Sequence, residues 1–326
     1  MIVAALVLSA ATLPARVDAV VAKAGLAGVL LVAKGDTVLV EKGYGTVAPQ
    51  GGQRHDSQQI WRLASISKQV TAALLVNEHL TSLDIPLAGP PHMNIFGGLS
   101  LRQMLTHHTG LPNPDDTKAG NGGVPSFYLS PQPDFDFCLT KRPVPGSAFK
   151  YNNCDYILAS FMLPGAFDDN GPSFAEGMRM ARAGEMGVPG FVKNAPEPHF
   201  ELANFGAAGG LVGTARAVFD FDRSLMTGKL LAPKALAELW KPEGKGSYQA
   251  LGQWVFPGML KGCAGPKRIV QRDGEIMGVQ TRNFILPDDD LVVIVFTNRS
   301  SNDFQFGNIW QGSGFAYELL SAVACG

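Results

Sequence analysis

Apolar residues fall along the chain in patterns that change with position. Residues 16–26 carry Val17, Val20, Val21 and Leu26 at helical spacing. The run 28–45, GVLLVAKGDTVLVEKGYG, reads as two strands joined at a Gly35-Asp36 turn. Residues 66–80 put Val70, Leu74, Leu75 and Leu80 on one helical face. Between 100 and 246, helical stretches alternate with Pro/Gly breaks, and Ser173–Glu185 and Pro233–Trp240 are read as helices. From residue 248 the strand pattern returns in QALGQWVF, KRIVQR, VQTRNFIL and LVVIVFTN, the last two joined by Pro287-Asp288-Asp289-Asp290. A helix over Trp310–Ala324 closes the chain.

Strands at both ends with helices between them predict an α+β fold. The early hairpin pairs with the late strands in one antiparallel sheet, flanked by N- and C-terminal helices. The expected division is a sheet domain from 16–58 and 247–326, with a mostly helical domain of 59–246 inserted into it and the active site at their interface. Residues 1–15 contain no charged side chain and resemble the apolar part of a secretory signal peptide, with Ser9-Ala10-Ala11 as a small-x-small cleavage site. A periplasmic or secreted protein is expected on that ground. The alternative is a buried N-terminal helix in a cytoplasmic protein.

Composition narrows the function classes. The 326 residues include 27 Lys+Arg against 28 Asp+Glu, a net charge of −1, which argues against a polybasic nucleic-acid binder. A hydrophobic content of 46% supports a large core. No uncharged apolar run reaches the roughly 18 residues of a membrane span. Cys138, Cys154, Cys263 and Cys325 form no C-x-x-C, so no metal site is expected. One or two disulfides can form in an exported chain, with the pairing open.

Ser65 and Lys68 stand at i and i+3 at the start of the helix over 66–80, on one face. A desolvated lysine there can shift toward the neutral amine and take the proton of a serine that is otherwise a weak nucleophile. The same spacing occurs at Ser147 and Lys150, and Ser67 is a further rival. Tyr151 and Asn153 form a second candidate pair. A tyrosine near a lysine can be drawn toward phenolate and serve as a base, and an asparagine can bind both a substrate amide and the lysine. The bland alternative is a turn after Pro145-Gly146.

The run RLASISKQVTAALL resembles the nucleophile helix of the serine β-lactamase and penicillin-binding protein superfamily, in its class C β-lactamase and D-alanyl-D-alanine carboxypeptidase branch. LDIPL, LRQMLTHHTGLP, VPGSAFKYNNCDYILA and AAGGLVGTARAVFDF resemble further segments of that branch in the same order. The third family motif, Lys or His followed by x-Gly, aligns with Arg272-Asp273-Gly274. Arginine keeps a positive charge that can anchor a carboxylate, but it does not shuttle protons. Otherwise Arg272 is an ordinary strand-edge residue paired with Asp273 or Glu275.

The resemblance implies a serine hydrolase that works through a Ser65 acyl-enzyme on an amide, lactam or ester. Lys68 and Tyr151 would exchange protons, and Asn153, Arg272 and Gly274 would help seat a small-molecule or peptide substrate, one that Arg272 mildly biases toward a carboxylate. The backbone N–H groups of Ser65 and Glu275 would hold the oxyanion. No cofactor is required. In the resembling loop, His107 is structural. The competing expectation is a catalytically impaired relative that acts as a binding or structural protein, motivated by the altered third motif.

Overall fold

The computed structural model describes residues 11–87, 96–163, 165 and 177–326. Most of the apolar leader therefore lies outside the described residues. The first described helix begins at Leu13.

Helix α1 (Leu13–Ala24) leads into the hairpin β1 (Gly28–Lys34) and β2 (Thr37–Tyr44). A short strand β3 (Trp61–Arg62) then enters α2 (Ile66–His79), followed by the short helices α3 (Leu101–Leu105) and α4 (Asn153–Ala159). Three short strands come next: β4 (Met178–Met180), β5 (Phe191–Val192) and β6 (Ala195–Pro196). The one-turn helix α5 (Gly206–Gly209), strand β7 (Leu211–Gly213), α6 (Ala215–Met226) and α7 (Pro233–Leu239) complete the middle. The chain ends in β8 (Trp254–Gly258), β9 (Lys267–Ile276), β10 (Val279–Leu286), β11 (Leu291–Thr297) and α8 (Phe315–Ala324).

The main sheet has six strands in the order β2-β1-β11-β10-β9-β8, with its pairings antiparallel. Its central strands explain the unbroken apolar runs. In β1, Val29, Leu31 and Ala33 join the core beneath α2 and α6, while Leu30 and Val32 face the cluster containing Val17 and Val21 of α1 and Leu319, Leu320 and Val323 of α8. Successive side chains point to opposite faces, so a strand covered on both sides has no polar alternation. Each fully buried aliphatic side chain contributes roughly 1.5–3 kcal/mol. β2 lies at the edge and is largely polar outward, as suits an unpaired edge.

Two helix boundaries differ from expectation. Residues 173–176 of the Ser173–Glu185 reading lie outside the described residues, and Met178–Met180 pairs with β7 as a strand. Gly177 and Gly184 have φ of 82° and 72°, which breaks any helix through them. Likewise α8 starts at Phe315 rather than Trp310, because Gly312 and Gly314 turn the chain at φ 65° and 94°. Among the described residues no helix is long and apolar enough to cross a membrane.

The cysteines pair as Cys138–Cys154 and Cys263–Cys325. The first ties the start of α4 to the 3₁₀ turn Phe135–Leu139, and the second ties the end of α8 to the chain after β8.

Candidate active site

The short strand β3 delivers the chain to Ser65 through a tight turn. The Leu63 N–H donates to the Leu211 carbonyl at 2.8 Å, and Ala64 takes φ 48°. A left-handed alanine costs energy that the surrounding structure must offset, and such strain clusters at functional sites. Helix α2 then runs through the core, with Ile66 through Ala73 all buried. Its polar side chains find partners there. Thr71 Oγ1 donates to the Ala207 carbonyl at 2.9 Å, and Ser67 Oγ accepts from the Leu211 N–H at 3.2 Å. That bond turns Ser67 toward β7, so it is not a rival to Ser65. The other rival pair is also apart: Lys150 Nζ reaches the exposed Asp116 at 2.7 Å.

Lys68 is fully buried one turn after Ser65. Its Nζ donates to Ser65 Oγ at 3.2 Å, to Asn153 Oδ1 at 2.6 Å and to the Ala208 carbonyl at 2.7 Å. Three acceptors match the three protons of an ammonium group. Burial pushes its pKa below the ordinary lysine value, and the Arg272 cation adds to that, while Tyr151 opposes it. Tyr151 Oη lies 2.6 Å from Ser65 Oγ. Burial raises the Tyr151 pKa, but the cations of Arg272 and Lys68 and hydrogen bonds to the phenol oxygen outweigh it, and the net direction is down.

Tyr151 and Asn153 are presented by the start of α4. The Asn152 side chain caps that helix by accepting from the Cys154 N–H at 2.7 Å. Asn113 braces the same turn from the preceding loop, its Oδ1 accepting from the Asn153 N–H at 3.2 Å.

Arg272 is not an exposed strand-edge residue paired with Asp273 or Glu275. It is buried and turned inward, with Nε donating to the Ser65 carbonyl at 2.9 Å and Nη2 to Tyr151 Oη at 2.7 Å. Gly274, expected among the substrate contacts, has a packing reason to be glycine. A Cβ there would sit 2.7 Å from the Leu63 carbonyl oxygen and 2.9 Å from Ala64 Cβ. Its absence lets β9 lie directly against the turn before Ser65. The β8–β9 pairing ends at Trp254 and Gln271, so β9 from 272 to 276 has no β8 partner along that edge. Glu275 sits on this stretch, and its carboxylate accepts from the Ser301 N–H at 3.3 Å.

A cavity of about 240 Å³ opens beside Ser65, and Tyr151, Asn153, Glu275, Asp115, Tyr128, Phe205 and Met277 are among its walls. Asp115 and the aromatic residues are additions to the sequence reading. Tyr128 stacks on Phe205 with ring centroids 3.8 Å apart and donates from its hydroxyl to Asp115 Oδ1 at 2.6 Å. Asn153 Nδ2 donates to the same Asp115 oxygen at 3.1 Å and to Tyr128 Oη at 2.8 Å. The buried Arg62 guanidinium holds the β9–β10 turn through the carbonyls of Ile276 and Met277 and pairs with Glu197. His107 lies behind Tyr151, with ring centroids 4.7 Å apart and Nδ1 2.8 Å from Asp155 Oδ2. Burial lowers the His107 pKa, with the Lys68 and Arg272 cations adding to it, and burial raises that of Asp155. Among the described residues no cluster of three or more His, Cys, Asp or Glu side chains is placed to hold a metal ion.

The Beta-lactamase family model matches residues 13–312. The putative penicillin-binding protein PbpX of Bacillus subtilis (strain 168) is 21% identical over 319 residues, covering 91% of this chain and 76% of that protein. Among solved structures, the D-amino acid amidase from Ochrobactrum anthropi SV3 complexed with L-phenylalanine aligns with a TM-score of 0.72 at 18% identity, covering 95% of this chain and 98% of that one. The penicillin binding protein from Bacillus halodurans aligns with a TM-score of 0.67 at 17% identity, covering 94% and 98%. The structural likenesses speak for the fold. With most of its length matched, the chain belongs to the Beta-lactamase family, a family of serine hydrolases that act on amides and lactams.

Proposed function

We propose that the protein hydrolyses the amide bond of a D-amino-acid amide or a related small amide through an acyl-enzyme on Ser65. The observation that carries the reading is the meeting of Ser65 Oγ with Tyr151 Oη at 2.6 Å and with Lys68 Nζ at 3.2 Å. Arg272 and Lys68 favour the phenolate, so Tyr151 accepts the Ser65 proton as Oγ attacks the carbonyl carbon. The oxyanion forms against the backbone N–H groups of Ser65 and Glu275, donors worth about 3 kcal/mol each in such sites. The C–N bond breaks as Tyr151 passes the proton to the departing nitrogen. Water then gives a proton to Tyr151 and its oxygen to the acyl carbon, and Ser65 recovers its hydroxyl. Lys68 holds Asn153 and Ser65 in register and stabilises the charge on the phenol throughout.

The substrate class rests on the small cavity. Its volume of about 240 Å³ suits one amino-acid side chain, and its walls carry the carboxylates of Asp115 and Glu275. Acidic residues on the wall favour an ammonium group on the acyl half. The amidase of similar fold is named for D-amino acids, which supports the D configuration. Export belongs to the same reading, supported by two disulfides in a chain with an apolar leader.

Ammonia release from D- and L-phenylalaninamide, with Ser65→Ala as control, tests the proposal. Turnover of the D-amide that vanishes in Ser65→Ala is expected. Absence of turnover on amides, penicillins and p-nitrophenyl acetate alike contradicts it and favours a relative that binds without catalysis.

A further inference from the structure

A second cavity, of about 560 Å³, lies beside the segments that carry Tyr151 and Arg272. Its walls include Phe149, Tyr248, Trp254 and Trp310, with Glu243 and Asp273 among the polar positions. Among the described residues none lines both cavities, but Asp273 on this one and Glu275 on the candidate active site stand two positions apart on β9. The Arg272 guanidinium sits over the Tyr151 ring at 5.3 Å and over the Trp254 ring at 5.1 Å. Phe149 precedes Tyr151 by two residues, and Asp273 follows Arg272 directly.

Three of these rings are open to solvent: Phe149 is 51% exposed, Tyr248 47% and Trp310 59%. Large aromatic groups gathered around one concavity, and left uncovered, mark a place that binds apolar matter. Acyl transfer supplies the occupant. A substrate has an acyl half and a leaving half on either side of the carbon that Ser65 attacks. The acyl half takes the smaller cavity with Asn153 and Glu275. The leaving atom must meet the proton of Tyr151, so the leaving half runs past that hydroxyl toward Arg272 and Trp254.

We infer that this aromatic cavity is the leaving-group subsite and that it selects a flat aromatic or bulky apolar amine. The inference rests on the Ser65 acyl-enzyme reading and deepens it. The two acids on its wall are already partnered, Glu243 by His108 at 3.2 Å and Asp273 by Arg282 at 3.3 Å, so the rings are what the cavity offers a ligand. In the step itself, the scissile C–N bond breaks, the nitrogen takes the Tyr151 proton, and the free arylamine departs through this cavity.

Two measurements test it together. The first compares kcat/KM for D-phenylalanine 2-naphthylamide and D-phenylalaninamide in the wild type and in Trp310→Ala and Tyr248→Ala. The ratio of naphthylamide to primary amide is expected to fall about tenfold in each variant, the scale of one lost aromatic contact. Equal losses on both substrates, or none on either, overturn the inference. The second titrates 2-naphthylamine into Ser65→Ala and follows tryptophan fluorescence. Saturable quenching that weakens in Ser65→Ala/Trp310→Ala is expected. Turnover of both amides without saturable quenching and without a change in the ratio overturns this inference alone. Saturable quenching with no turnover of either amide overturns the hydrolase reading, and the leaving-group role falls with it.

Discussion

Replacing Gly274 with alanine adds one methyl group at the point where β9 meets the turn before Ser65. Built on the backbone, that carbon would lie 2.3 Å from Thr281 Oγ1, 2.7 Å from the Leu63 carbonyl oxygen and 2.9 Å from Ala64 Cβ. Ordinary contacts of this kind fall at roughly 3.5–4.0 Å, so the shortfall is on the order of 1 Å. Thr281 can turn its side chain, at the cost of the 3.0 Å bond that its hydroxyl donates to the Leu63 carbonyl. The Leu63 carbonyl cannot turn away independently, since it belongs to the backbone leading into Ala64 and Ser65. The strand must withdraw, carrying Glu275 with it. Overpacking of this kind costs about 1–3 kcal/mol. A displacement of about 1 Å at a reacting centre costs roughly a hundredfold in rate. The assay is kcat/KM on D-phenylalaninamide beside a thermal melt. Gly265→Ala serves as control, because a Cβ there meets nothing within 4 Å. A Gly274→Ala protein with full kcat/KM and an unchanged melting temperature refutes the reasoning.

Three further perturbations separate the remaining parts of the account. Arg272→Met removes a cation that lowers the pKa of both Lys68 and Tyr151, so both rise. The basic form then prevails only at higher pH, and the acid limb of the kcat/KM profile moves toward alkaline pH. Arg272→Lys keeps the limb near its original place, and a limb that stays still or moves toward acid in Arg272→Met rules out this electrostatic role. Asp115→Asn lowers kcat/KM for D-amino-acid amides by roughly ten- to a hundredfold relative to p-nitrophenyl acetate, the worth of one hydrogen bond to a charged group. Equal losses on the two substrates would assign Asp115 to shape alone. Replacing both Cys138 and Cys154 with alanine opens a loop with a sequence separation of 16 and lowers stability by about 3 kcal/mol in the chain-entropy account. Denaturant titration measures it, and an unchanged midpoint contradicts it.

The parts of this structure that could be read from the chain are those written in its own periodicity. The run GVLLVA marks a strand covered on both faces, and the apolar face of 66–80 marks α2 with Ser65 and Lys68 one turn apart at its head. The direction of Arg272 was not readable, since a strand residue points inward or outward according to what packs on each face. Asp115 and Tyr128 sit among 3₁₀ turns without a repeating pattern. The Ala208 carbonyl that accepts from Lys68 belongs to the backbone, so no side chain announces it. The left-handed turn at Ala64 is imposed by tertiary packing, against the local preference of alanine. Cysteine spacing left the disulfide pairing open, because it depends on contacts between distant segments.

The central claim is that Ser65 carries the acyl group, and mass spectrometry tests it most directly. The protein is mixed with p-nitrophenyl acetate, quenched in acid within the first turnovers and digested. The account predicts one acetyl group on the peptide containing Ser65 and its absence in Ser65→Ala. Acetylation confined to other residues, or undiminished in Ser65→Ala, contradicts it.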